Sequence, residues 1–133
     1  MAARLRAHPG AAGTGGSFTG AALEEALRYA ARHRAEFMWA WESEPQSIAH
    51  GILDDETYDW LAVVRGMLVT GGTPVTVDEE RLMEANDLAR DTTGIDADHT
   101  GSSGLAGLME LLRDGSVGAG ESVAVFLTGV TRA

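Results

Sequence analysis

The sequence predicts an α/β fold, a three-layer parallel-sheet domain that is incomplete. Amphipathic helical stretches alternate with short apolar runs, the order expected of helices layered on a sheet. The last run, residues 122–127 (SVAVFL), is almost continuously apolar, as a strand covered on both faces would be. Only three short runs of this kind occur, and none precedes the glycine-rich loop near the N-terminus, so the predicted sheet has an open edge.

The elements follow in order. Residues 1–12 (MAARLRAHPGAA) show no period and read as an arm or a remnant, and residues 13–133 as the domain proper. The loop GTGGSFTG opens a helix carrying Leu23, Ala26, Leu27 and Ala30 on one face. Residues 37–41 (FMWAW) read as a core strand, ended by the acidic, proline-containing stretch that follows. Asp55 is the expected N-cap of a second helix, with Trp60, Val63, Val64, Met67 and Leu68 at matching spacing and Gly71 at its end. Residues 73–77 read as a brief strand. Asp78 then caps a helix running to about Thr92, with Leu82, Ala85 and Ala89 inward and Glu79 and Glu80 favouring its dipole. A small-residue turn, HTGSSG, leads into the last helix, where Leu105, Leu108, Met109 and Leu112 share a face.

Composition narrows the function. At 133 residues the chain has the size of one domain with a real core. Twenty acidic residues against ten basic ones give a net charge of −10, which argues against nucleic acid and anionic membranes as partners. No apolar run approaches the ~18 residues of a membrane span, and no apolar core follows the N-terminal arginines as a secretory signal requires. There is no cysteine, hence no disulfide or thiolate chemistry. All ten basic residues are arginines. Schiff-base chemistry with a carbonyl cofactor needs an amine side chain, and only lysine supplies one.

Three places invite a chemical reading. In the glycine loop, successive backbone N–H groups and the following helix N-terminus suit a phosphate, with Ser17 and Thr19 as hydroxyl donors; a terminal linker is the competing reading. Thr128 stands at the carboxyl end of the last predicted strand, where open α/β sheets place ligands; a threonine satisfied by neighbouring backbone is the alternative. Ser102 and Ser103 sit in the small-residue turn, where a helix N-cap is an equal reading. His99 with Asp96 and Asp98 is crowded into one turn and lacks a fourth ligand, so no metal site is expected. No nucleophile elbow is present.

The ordered set GTGGSFTG, WESEP (41–45), TPVTVDEERLMEANDLA (73–89) and HTGSSG through LTG (99–129) resembles the fold-type II pyridoxal-phosphate enzymes, the threonine synthase, threonine dehydratase and cysteine synthase group. The resemblance implies the C-terminal portion of a tryptophan synthase β-like fold. It implies elimination or replacement on an amino acid such as phosphohomoserine, threonine or serine, with pyridoxal phosphate as cofactor, in the cytoplasm. By position, Gly13, Thr14, Gly15, Gly16 and Ser17 would touch the cofactor phosphate, and Thr128 would hydrogen-bond the pyridine nitrogen. Ser102 would lie near the ring. Without lysine the chain offers no catalytic residue and is expected to be inactive alone, completed by a lysine-bearing part, in a homo-oligomer or with a partner chain. A non-catalytic remnant or partner subunit of the same fold is the alternative. A small phosphate-binding module using only the loop is a weaker one.

Overall fold

The structure, a computed structural model, describes residues 18–38, 40–55 and 57–131. Four α-helices occur among them: α1 (Gly20–Arg32), α2 (Trp60–Thr70), α3 (Glu79–Thr93) and α4 (His99–Arg113), with single 3-10 turns at Arg34–Glu36 and His50–Ile52. The described residues form no sheet, and their one β pairing is an isolated antiparallel bridge between Ala97 and Val130. The expected three-layer parallel-sheet α/β domain is therefore overturned: the regular structure of the described residues is helical.

The helices fall where the spacing places them, whereas the strands do not form. Phe37 and Met38 close the 3-10 turn onto Arg34 instead of opening a strand. Residues 73–77 and 122–127 have neither helical nor ladder hydrogen bonds. A helix closes its hydrogen bonds within one segment, but a strand is held by a neighbour's ladder and cross-strand packing. No two of these runs pair, so neither contribution is available.

Local chemistry sets the helix ends. Asp78 accepts a hydrogen bond from the Arg81 amide at 2.8 Å, and Asp98 accepts one from the Gly101 amide at 2.6 Å. The second cap turns the stretch expected to be a turn, residues 99–104, into the first turns of α4. α2 begins after Asp59, not Asp55, and Asp59 makes no side-chain cap bond. Gly71 and Gly94 close α2 and α3 with φ of 75° and 69°, left-handed values that favour glycine.

The chain divides into two compact units. In the first (Met1–Ser43 with Asp55–Pro74), α1 and α2 enclose Phe18, Leu23, Ala30, Val64 and Leu68. The Phe18 amide donates to the Leu68 carbonyl at 2.9 Å. Tyr29 stacks on His33 with ring centroids 4.2 Å apart.

In the second unit (Glu44–Asp54 with Val75–Ala133), α3 packs on α4 around Ala49, Leu82, Ala85 and Ala106. Ala85 and Ala106 are fully buried, and small residues there let the two helices approach closely. The expected apolar face of α4 is split. Leu105 and Met109 close onto the core, Leu108 lines an open cleft, and Leu112 is exposed. The side of α4 that is fully covered consists of Gly101, Ser102 and Ala106. No helix among the described residues is long and apolar enough to cross a membrane.

Candidate functional site

The second unit brings two of the sequence-selected residues, Ser102 and Thr128, to the start of α4. The Thr128 amide donates to the Gly101 carbonyl at 3.2 Å, and the Asp98 amide donates to the Gly129 carbonyl at 3.3 Å. A Cβ added to Gly101 would collide with the backbone of Gly129, and one added to Gly129 would lie 2.6 Å from Asp98 Oδ1. Gly101 is therefore required by the backbone contact itself, whereas a side chain at 129 would have to displace the capping Asp98 carboxylate. The Thr131 amide extends it by donating to the Asp96 carbonyl at 2.9 Å.

Asn86 of α3 braces this junction from below. It is 3 % exposed, and its Nδ2 donates to the Ala97 carbonyl at 2.8 Å and to Ser102 Oγ at 3.1 Å. Ser102 Oγ in turn donates to the Asp98 carbonyl at 3.0 Å. Ser102 is fully buried and its hydroxyl already acts as both donor and acceptor, so it supports the junction from inside the first turn. The cap position belongs to Asp98.

Thr128 faces the other way. Its side chain is exposed, and its hydroxyl makes no hydrogen bond among the described residues. It rims an open cleft of about 620 Å³. Gly104, Gly107 and Leu108 of α4 form part of the floor, and Val75, Val77 and Val125 part of the walls. No charged residue lines it. Gly13, Thr14, Gly15, Gly16 and Ser17 lie outside the described residues.

Several charged groups of this unit are engaged with one another away from the cleft. Arg81 of α3 reaches Glu110 of α4 at 2.7 Å and also pairs with Glu84. Arg113 donates to Glu110 from the other side at 2.9 Å. Hydrogen bonds from Arg113 and Arg81 hold the Glu110 carboxyl below the usual carboxylate range. The Ile48 amide at 2.9 Å and the Ser47 hydroxyl do the same for Glu79. Asp96 pairs with Arg90 at 2.8 Å. No group of three metal-ligating side chains occurs among the described residues.

No family model, curated protein or solved structure matches the chain. What the site can do follows from its own chemistry. A neutral hydroxyl beside an uncharged apolar wall suits a flat heteroaromatic ring, whose faces need apolar cover and whose ring nitrogen needs one hydrogen-bond partner. Among the described residues the cleft lining holds no carboxylate, imidazole or amine.

Three residues of the junction were not singled out from the sequence for a site: Gly101, Gly129 and Asn86. Asp98 was weighed only as a metal ligand, although its cap role carries a readable signal, an aspartate directly before a helical stretch. Asn86 also leaves a trace, as a polar residue between the inward-facing Ala85 and Ala89.

Proposed function

We propose that this chain forms part of a pyridoxal-phosphate enzyme that carries out elimination or replacement on amino acids, similar to the threonine synthase, threonine dehydratase and cysteine synthase group. It lends contacts to the cofactor, while the reacting lysine belongs to another segment or another chain. Thr128 carries the reading: its unengaged hydroxyl stands on the rim of an uncharged apolar cleft, on backbone pinned to α4 through Gly101. The lack of any lysine supports the division of roles.

When bound, the cofactor supplies an electron sink for a carbanion. The Thr128 hydroxyl would hydrogen-bond the ring nitrogen, and as a neutral partner it would leave that nitrogen unprotonated and moderate the sink. Asp98, Gly101, Asn86 and Ser102 hold the Thr128 backbone in place. Gly13, Thr14, Gly15, Gly16 and Ser17 are assigned to the phosphate by resemblance alone.

The test is to add pyridoxal phosphate to the purified chain, treat one half with borohydride, and map modified residues by mass spectrometry. The reading expects reversible binding removed by dialysis and no reduced adduct on any side chain. Absence of saturable binding, or cofactor retained through dialysis, overturns it.

A further inference from the structure

The cleft beside α4 has a property that the cofactor reading does not use. Along residues 124–130, exposure alternates: Val125, Leu127 and Gly129 are partly covered, whereas Phe126 and Val130 are 80 % and 54 % exposed. That period of two belongs to an extended chain lying with one face on a support. Val75, Thr76 and Val77 repeat the pattern, covered, exposed, covered. Both segments line the same cleft, and the main-chain N–H and C=O groups of 75–77 and 123–127 make no hydrogen bond among the described residues.

Exposed extended segments are ordinarily protected by lysine, proline, inward charge or a bulge. Residues 122–130, SVAVFLTGV, contain no charged residue and no proline. A Cβ on Gly104 would meet Phe126 and Val125, and one on Gly107 would meet Val75, at ordinary van der Waals distance, so both segments rest directly on α4. Their main-chain edges are what remains for a partner strand.

Charge selects the occupant. The second unit carries 13 carboxylates against four arginines, a net −9 with histidines neutral. Like charge opposes a second copy of the unit, and an apolar strand with basic flanks complements it.

We infer that this cleft is a docking site for an extended peptide segment, alternately apolar and flanked by basic residues, which pairs its main chain with residues 123–127 in the manner of strand addition. The inference does not rest on the cofactor reading, because the peptide pairs with the main chain of residues 123–127; it would compete with a ring beside Thr128, which rims the same cleft.

The full chain, isotopically labelled, is titrated with a synthetic peptide of alternating valine and threonine bearing lysine at both ends. Amide hydrogen exchange at residues 123–127 is expected to slow by at least about tenfold, while exchange in α1 stays unchanged. Replacing the terminal lysines by glutamate is expected to weaken binding, and N-methylating alternate peptide amides to abolish it. Unchanged exchange at 123–127, equal binding of the glutamate-flanked peptide, or full binding of the N-methylated peptide overturns the inference. So does sedimentation showing that the chain alone dimerises through these residues.

Discussion

Gly101 and Gly129 meet backbone to backbone, so closely that a single added methyl group on Gly101 would overlap the Gly129 carbonyl oxygen and amide nitrogen. This contact fixes Thr128 to the start of α4 and gives the second unit its one long-range main-chain junction at that helix end.

Gly101→Ala is expected to reverse the usual sign of a helix substitution. In an unobstructed helix interior, replacing glycine by alanine stabilises by about 1 kcal/mol. Here the overlap with Gly129 must be relieved by shifting backbone, and a net loss of about 1–3 kcal/mol is expected. Gly104→Ala, one turn on and unobstructed, is the comparator and should gain stability. Urea unfolding of the two variants reads the contrast.

Asn86→Ala removes the only side-chain donor to the Ala97 carbonyl and to Ser102 Oγ among the described residues. Leaving buried groups unpaired costs about 1–3 kcal/mol. Hydrogen exchange of the Thr128 amide should accelerate more than that of amides in the middle of α1, because the junction loosens before the first unit does.

How much of this was legible in the sequence depends on where each element's hydrogen bonds close. The helices were readable because capping aspartate, apolar spacing and terminal glycine are local: Asp78 and Gly94 bracket α3 as expected. Residues 73–77 and 122–127 were legible as apolar and extended-looking, but a strand exists only through a neighbour, and no local pattern reports whether that neighbour is present. The site followed the same division. Thr128 and Ser102 were singled out by motif position. The buried engagement of Ser102 and the need for glycine at 101 depend on tertiary contacts, the second with a segment nearly thirty residues away.

Asp98→Ala should cost more than Asp78→Ala. Each removes an N-cap bond worth about 1 kcal/mol. Asp98→Ala keeps the backbone amide that donates to Gly129, but it loses the carboxylate holding the Gly101 amide at the same junction, so the contact with residues 128–129 loosens along with the cap. Thermal unfolding of the two variants in parallel gives the ranking.

Acid should weaken the second unit. Glu110 and Glu79 are held below the ordinary glutamate range in the folded chain. A depressed folded value contributes stability in full above the unfolded range, and that contribution is lost as pH falls through the folded value. Denaturant midpoints are therefore expected to drop on acidification through and below the glutamate range. Glu110→Gln should lower the midpoint near neutrality and flatten the acid limb, and added salt should blunt the difference because the Arg113 partner is exposed.

The assignment of Thr128 to the cofactor is best tested by residue-resolved NMR of the labelled chain titrated with pyridoxal phosphate. Saturable shifts are expected at Gly101, Thr128 and Gly129, weakened in Thr128→Ala and absent with inorganic phosphate alone. Shifts confined to other residues, or an unaltered response in Thr128→Ala, would contradict the assignment.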